Sequence, residues 1–215
     1  MCIKIFVTAT DTGVGKTYTT LKLLEAFSSM GLKAGAFKPI ETGVENLPQD
    51  GIKLFEKSKE INKEFEKLSL DDIVPYSFTL PAAPYVAKNC TIDIGFLKSK
   101  IKKLEKFCDV LLIEGAGGLL VPVEQNIFMI DLIDIFDAKA FLVTPSRLGC
   151  INATLLSQNI LESRGIEYEW CVNLYEEKET FFETTHPFYK EYFKKFFIFP
   201  AHIENIAAAL AANKE

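Results

Sequence analysis

The chain has 215 residues, of which 48% are hydrophobic and 25% charged, a composition typical of an ordinary globular protein. At this length we predict that residues 1–215 form a single domain. The 24 basic and 29 acidic side chains give a net charge of −5. This charge disfavours proteins that bind nucleic acid or anionic membranes without sequence preference, because both classes carry a basic face.

Cysteine usage and the N-terminus indicate a cytoplasmic protein that does not bind a membrane. The chain has five cysteines, an odd number, and no Cys-x-x-Cys pair, which disfavours a disulfide framework or a zinc ribbon. The apolar N-terminal run lacks a basic region and ends at Val7, so it is predicted to be a strand rather than a signal peptide. No apolar run approaches the length of about 18 residues that a membrane span requires.

Short apolar segments typical of buried strands alternate with longer segments of helical periodicity. The predicted strands are Ile3–Thr8, Lys33–Phe37, Val110–Ile113, Ala140–Val143, Tyr168–Val172 and Lys194–Phe199. The predicted helices are a segment through Leu21–Phe27 that ends at Gly31, then Asp50–Lys67, Ile94–Phe107, Ile127–Phe136, Ile151–Arg164 and Ile203–Ala212, with a long loop at Pro75–Pro84. The alternation predicts an α/β fold with a mostly parallel sheet and helices on both faces. Ligands of such sheets bind beyond the carboxyl ends of the strands.

A glycine-rich loop follows the first predicted strand and precedes the first helix. Its sequence is Gly13-Val14-Gly15-Lys16-Thr17, and backbone N–H groups in such a loop bind phosphate together with the helix N-terminus. Lys16 is expected to reach the β- and γ-phosphates, and the Thr17 hydroxyl to bind Mg²⁺. The loop is an atypical Walker A motif, because Thr10 stands where the pattern has glycine.

Two further charged residues follow predicted strands. Lys38 comes directly after the second strand, and Glu114 follows a buried apolar strand and precedes Gly115-Ala116-Gly117-Gly118. A carboxylate at that position is an expected Mg²⁺ partner, and the glycines permit close approach of a nucleotide. The lysine is placed where negative charge develops during phosphoryl transfer.

These motifs, in this order, resemble those of the dethiobiotin synthetase family. The resemblance also includes Thr10-Asp11-Thr12, Thr42-Gly43 and Leu148-Gly149-Cys150-Ile151-Asn152, and it covers about residues 3–175. It implies a P-loop NTPase-like fold and an ATP-dependent cyclo-ligase of biotin synthesis. Such an enzyme closes the ureido ring of dethiobiotin from 7,8-diaminononanoate and carbon dioxide, and releases ADP and phosphate.

The resemblance also implies roles for individual residues. Lys16 and Lys38 are expected to be catalytic, and Thr17, Asp50 and Glu114 to bind Mg²⁺. The residues expected to bind ATP are Gly13, Val14, Gly15, Lys16, Thr17, Tyr18, Asp50, Glu114, Gly115, Ala116, Gly117 and Asn173, the last of which reads the adenine. The residues expected to bind the diamine substrate are Thr42, Gly149, Cys150 and Asn152, the last three supplied by the neighbouring subunit of a homodimer.

The sequence departs from the family pattern at two places. Ala83 stands where some relatives have a hydroxyl residue, and Phe199-Pro200-Ala201 only weakly matches the proline loop that completes the base site. Cys150 is expected to pack as a small residue rather than to act as a nucleophile, because the reaction requires no covalent intermediate on the protein.

Two other classes share the predicted fold and remain as alternatives. A partition- or septum-type ATPase switch has a second lysine in the phosphate loop, at the position of Asp11. A cobyrinate-type amidotransferase needs an additional glutaminase domain, for which 215 residues leave no room. Phosphate release that depends on the diamine would distinguish the ligase from both.

Overall fold

A parallel six-stranded sheet forms the centre of the molecule, which is described by a computed structural model over residues 2–175 and 178–212. Its strands, in chain order, are β1 Ile3–Ala9, β2 Ala34–Phe37, β5 Val110–Gly118, β8 Lys139–Pro145, β9 Tyr168–Asn173 and β10 Phe197–Phe199. They lie side by side in the order β10-β9-β8-β1-β5-β2, and every neighbouring pair is parallel. The predicted α/β class is therefore confirmed.

Two small two-stranded sheets flank the central one. Their strands are β3 Ile40–Thr42 with β4 Tyr76–Phe78, and β6 Pro122–Glu124 with β7 Ile127–Phe128. The helices are α1 Lys16–Ser29, α2 Gln49–Ile61, α3 Leu70–Ile73, α4 Pro84–Ala87, α5 Ile94–Leu104, α6 Asp131–Ile135, α7 Cys150–Ser163, α8 Lys178–Thr184, α9 His186–Tyr192 and α10 Ile203–Ala211, with a 3₁₀ turn at Lys63–Lys67. Within the described part of the chain, no helix combines the length and the apolar character needed to cross a membrane.

The two faces of the sheet are covered by different helices. Side chains alternate between the faces of a strand, so in β1 Ile5 and Val7 pack with α1 and α10, whereas Phe6 packs with the opposite core. That opposite core includes buried side chains of α5, α6 and α7. The strands β1, β5 and β8 are therefore covered on both faces, which is why they read as continuous apolar runs.

The structure corrects the prediction of a helix over Ile127–Phe136. Ile127–Phe128 is strand β7, and only Asp131–Ile135 is helical. The reason is a hairpin: β7 pairs antiparallel with β6 across a short turn in which Asn126 adopts the left-handed conformation, at φ 62°. Asn tolerates that conformation better than most residues.

Several other elements also differ from the prediction. The loop predicted at Pro75–Pro84 contains β4, which forms because it pairs in parallel with β3. The helix predicted at Asp50–Lys67 ends at Ile61, after which the chain forms a 3₁₀ helix in which the Glu64 N–H donates to the Asn62 side chain. Helices α8 and α9 were missing from the predicted elements.

Candidate functional site

A cavity of ≈ 530 Å³ lies where the carboxyl ends of β1, β2 and β5 meet, at the edge that the fold favours for ligands. The phosphate loop, the segment after β2 and the end of β5 each contribute to its wall. Its lining residues are Thr12, Gly13, Gly15, Lys16, Thr17, Tyr18, Lys38, Ile40, Glu41, Thr42, Asp50, Pro81, Ala82, Ala83, Pro84, Glu114, Ala116, Gly117 and Val121.

Left-handed glycines and two side chains of the β9 end shape the phosphate loop. Gly13 and Gly15 have φ values of 77° and 90°, in the left-handed region of backbone conformation that residues with a Cβ rarely adopt. Asn173 Nδ2 donates to the Val14 carbonyl at 2.9 Å, and the Tyr175 hydroxyl donates to the Gly13 carbonyl at 2.7 Å. A Cβ at Gly15 would lie 2.2 Å from Asn173 Nδ2, so only glycine fits there.

Glu114 is fully buried and holds the polar centre of the site together. Its Oε1 accepts from Thr17 Oγ1 at 2.9 Å and from Lys38 Nζ at 2.8 Å, and its Oε2 accepts from Thr20 Oγ1 at 2.8 Å. Lys38 Nζ also donates to the Gly115 carbonyl at 3.1 Å. Burial makes a charge costly unless it is paired and hydrogen-bonded, and here both the carboxylate and the ammonium are.

The pKa of the Lys16 ammonium is lower than that of an ordinary lysine. Its pKa is lowered to about 8, mainly by burial and next by the nearby positive charge of Lys38, while the carboxylates of Glu114, Asp11 and Asp50 act in the opposite direction. The ammonium donates to the Asp11 carbonyl at 3.1 Å. Lys16 and Lys38 thus place two cations on one cavity, an arrangement that favours a polyanionic ligand.

Glu41 and Asp50 add two more carboxylates to the cavity wall. Glu41 is 8% exposed and accepts from the backbone N–H groups of Asp50 and Gly51. Burial raises the pKa of Glu41, while those two N–H groups oppose the rise. Asp50 lies in the first turn of α2, and its negative charge opposes the lowering of the Lys16 pKa.

The structure gathers most of the residues predicted to bind nucleotide or metal. Of the predicted residues, the cavity is lined by Gly13, Gly15, Lys16, Thr17, Tyr18, Lys38, Thr42, Asp50, Glu114, Ala116 and Gly117. Val14, Gly115 and Asn173 lie behind the wall, where they support it: Val14 and Gly115 offer carbonyls to Asn173 and Lys38. Ala83 lines the cavity, with no hydroxyl to offer.

The predicted residues Gly149, Cys150 and Asn152 are not brought into this cavity as the described residues define it. Cys150 and Asn152 lie in the first turn of α7. Gly149 directly precedes the helix and has the left-handed conformation, at φ 88°. The Cys150 side chain is 2% exposed, and the Tyr189 hydroxyl lies 3.6 Å from its sulfur. The expectation that Cys150 is a packed small residue is confirmed.

Sequence reasoning missed Thr20 and Glu41. Thr20 lies four residues after Lys16, one helical turn further along the same face of α1, a spacing that could have indicated it. Glu41 precedes the predicted substrate residue Thr42, but its partners at Asp50 and Gly51 are set by the tertiary fold.

The oxygen atoms of Thr17, Glu114 and Asp50 fit a magnesium ion. Mg²⁺ binds oxygen ligands and commonly takes only one or two carboxylates, with phosphate and water oxygens completing its coordination. Thr17 Oγ1 and Glu114 Oε1 already lie 2.9 Å apart at the cavity wall, and the hydroxyl retains lone pairs after donating to the carboxylate.

The parallel sheet, the glycine loop and the lysine at the start of α1 together define a P-loop nucleoside triphosphatase fold. Comparisons with known proteins are more specific. The AAA domain family matches residues 4–174. The chain is 49% identical to an ATP-dependent dethiobiotin synthetase of Sulfurovum sp., over 96% of this chain and 99% of the relative. It is 39% identical to an enzyme of the same name from Wolinella succinogenes, over 96% and 97% of the two chains. The chain belongs to the dethiobiotin synthetase family.

Solved structures of other P-loop proteins share the fold. A plasmid partition protein from Borrelia burgdorferi aligns with a TM-score of 0.59 over 97% of this chain and 98% of that one, at 14% identity. The MinC:MinD cell division complex of Aquifex aeolicus aligns with a TM-score of 0.55 over 96% and 86%, at 15% identity. At these identities the likeness shows the fold alone.

Two neighbouring threonines test the Glu114 network. Thr19 and Thr20 are both fully buried on α1, but only Thr20 has a hydroxyl partner, since within residues 2–175 and 178–212 Thr19 Oγ1 has none. We expect Thr20→Val to lower the free energy of unfolding by about 1–3 kcal/mol, because a buried carboxylate oxygen loses its donor. Thr19→Val, the matched control, should be neutral or stabilising. Urea denaturation of both variants measures the difference, and equal values would contradict the network.

Proposed function

We propose that this protein is an ATP-dependent dethiobiotin synthetase, a ligase that forms the ureido ring of dethiobiotin from 7,8-diaminononanoate and carbon dioxide. The 49% identity over 96% of the chain supports this activity. The single structural observation that carries it is the convergence of Lys16 and Lys38 on one cavity that also contains Glu114. A phosphate loop alone is compatible with any nucleotide hydrolase. A second buried cation on the same cavity, Lys38, favours the binding of a second anionic reactant beside the nucleotide.

The reaction requires two anions to meet. One neutral amine of the substrate attacks carbon dioxide and loses a proton, which gives a carbamate. A carbamate oxygen attacks the γ-phosphorus of ATP and ADP leaves, which gives a carbamic-phosphoric anhydride. The second amine then attacks the carbonyl carbon, and phosphate leaves as the ring closes.

Lys16 and Lys38 offset the repulsion between the carbamate and the γ-phosphate. In phosphoryl transfer the protein contributes mainly positioning and electrostatic stabilisation. Lys38 is suited to this because Glu114 and the Gly115 carbonyl fix its ammonium in advance, so little reorganisation is needed. Thr42, also on the cavity wall, is proposed to contact the diamine.

Thr17, Glu114 and Asp50 would hold Mg²⁺ in this enzyme. When bound, the ion would neutralise negative charge on the phosphate oxygens. Within the chain, Thr20 donates to Glu114 Oε2, which orients the carboxylate so that Oε1 faces Thr17 and Lys38.

Asn173 is proposed to read the adenine base. Its Nδ2 is bound to Val14, but among the residues that the structure describes Oδ1 has no hydrogen-bond partner although it is buried. In the pairing of β10 with β9, Phe199 lies opposite Asn173. The Phe199 ring packs edge-on against the Tyr18 ring, with 5.7 Å between the ring centroids. The weakly matched Phe199-Pro200-Ala201 segment is therefore adjacent to Asn173.

The functional unit is proposed to be a homodimer in which Gly149, Cys150 and Asn152 complete the partner's substrate site. Backbone N–H groups at the start of α7, a 14-residue helix, suit the carboxylate tail of the diamine. Near this helix the chain exposes apolar side chains: Leu148 is 76%, Leu156 63% and Leu120 55% exposed. Leu120 and Leu156 line a second cavity of ≈ 570 Å³, a surface that a second copy would cover.

The activity is tested by phosphate release from ATP in the presence of bicarbonate, with and without 7,8-diaminononanoate. We expect the diamine to stimulate release and dethiobiotin to form. Lys38→Met should bind ATP but lose about 10²–10³-fold in kcat, because a preorganised charge is missing in the transition state. Diamine-independent phosphate release would favour the partition-type switch, and an active Lys38→Met variant would remove Lys38 from the mechanism.

The lowered pKa of Lys16 predicts proton uptake when a nucleotide binds. At pH 9 this lysine, with its pKa of about 8, is largely neutral, and the charged form is the one that phosphate stabilises. The phosphates of ADP are already ionised at this pH, since their last pKa is about 6. Calorimetry of ADP binding in buffers of different ionisation enthalpy should show uptake of a large fraction of one proton. In Lys16→Arg, which stays charged, the uptake should disappear; if it persists, another group is responsible.

The dimer is tested by Leu156→Asp, which places a charge in the proposed interface. We expect sedimentation to show a dimer for the parent and a monomer for the variant, with ADP affinity unchanged and the KM for the diamine raised at least tenfold. Met30→Asp is the matched control, because Met30 is also exposed, at 47%, but lies at the end of α1. A parent monomer with full activity would contradict the proposed assembly.

A further inference from the structure

Glu41 makes an unusual contact for a residue on a short strand. Its carboxylate is buried, with Oε1 accepting from the Asp50 backbone N–H at 3.1 Å and Oε2 from the Gly51 N–H at 2.8 Å. These two N–H groups belong to the first turn of α2, where they have no partner within the helix. One side chain from β3 therefore satisfies two donors of a separate element.

The residue before helix α2 is Pro48, which provides no side-chain cap because its ring contains no acceptor. A carboxylate at a helix N-terminus is stabilised by the helix dipole, and two N–H donors match its two oxygens. The contact also depends on Gly51, because a Cβ there would lie 3.3 Å from Glu41 Oε2 and 2.0 Å from Val74 Cγ2.

Asp50 is the residue that this contact fixes. Asp50 lines the phosphate cavity, as do Thr17 and Glu114. The ion pair of Asp50 with Lys53 is long, at 3.6 Å, and both side chains are exposed, so it contributes little to holding the carboxylate. The backbone of Asp50 is instead held by the hydrogen bond from its N–H to Glu41.

We propose that Glu41 is a positioning residue that directs Asp50 toward the magnesium ion of the bound nucleotide. This inference rests on the proposed function, since it requires a metal–nucleotide complex in the cavity. The contact through which Glu41 acts is with the backbone, since its two oxygens accept from the N–H groups of Asp50 and Gly51. Its role is to fix the first turn of α2 against β3, and with it the carboxylate on that turn.

Mn²⁺ serves as the probe, with its binding to the protein–ADP complex followed by electron paramagnetic resonance. We expect Glu41→Leu to weaken Mn²⁺ binding about 10-fold or more, in the range typical of residues that orient metal ligands. Glu41→Gln keeps one acceptor oxygen and should lose less. Affinity for ADP without metal should stay within twofold of the parent. The matched control is Glu45→Gln, which removes an exposed carboxylate four residues away and should change neither value.

A double-mutant cycle distinguishes positioning from a general loss of structure. If Glu41 acts through Asp50, Glu41→Leu should weaken Mn²⁺ binding no further in a protein that already carries Asp50→Ala. Additive losses would overturn the inference, and so would parental Mn²⁺ affinity in Glu41→Leu. If the leucine variant does not fold, Glu41→Gln is judged alone by the same cycle, and parental affinity there overturns the inference. A parent that binds no Mn²⁺ with ADP would instead contradict the proposed function.

Discussion

One buried carboxylate connects the segments that form the phosphate cavity. Glu114 lies within β5, yet its two oxygens are bound by Thr17 and Thr20 of α1 and by Lys38 after β2. Without those partners a charge at this depth would cost several kcal/mol. The requirement to satisfy a single side chain therefore fixes the three segments relative to one another, and it holds the Lys38 ammonium at the carboxylate.

The network also explains how one cavity contains both positive and negative side chains. Lys38 and Glu114 form an ion pair at 2.8 Å, whereas Lys16 forms none within the described part of the chain, and its burial lowers its pKa. The two lysines therefore differ although both line the cavity. Lys38 is held in an ion pair, and Lys16 is the lysine for which we expect a change of protonation when a ligand binds.

Features that follow from local chain properties could be predicted from the sequence. The strands β1 and β5 are short apolar runs buried on both faces, and Gly13 and Gly15 mark a turn that requires positive φ, so the phosphate loop and its place on the sheet could be read directly. The β6–β7 hairpin could not, because Ile127 and Phe128 fit a helical pattern and only pairing with β6 decides between the two. Glu41 was missed for the same reason, since its partners are 9 and 10 residues away on another element.

The likeness to partition and cell division proteins concerns the scaffold alone. A parallel sheet with a glycine loop supports many activities, so activity has to be argued from the site. In this chain Lys38, Glu41 and Thr42 all follow β2 within a few residues and line the cavity. We propose that this short segment contacts the second reactant beside the nucleotide.

The contact between Asn173 and the phosphate loop has a consequence for how the loop behaves. Hydrogen bonds from Asn173 and Tyr175 hold the carbonyls of Val14 and Gly13, and Gly15 packs so closely on Asn173 that the loop has no room to shift toward β9. The phosphate loop is therefore ordered when the chain folds, and the entropic cost of ordering it does not arise when a ligand binds. A phosphate loop that is ordered before the ligand arrives loses little conformational entropy on binding, so more of its contact energy contributes to affinity.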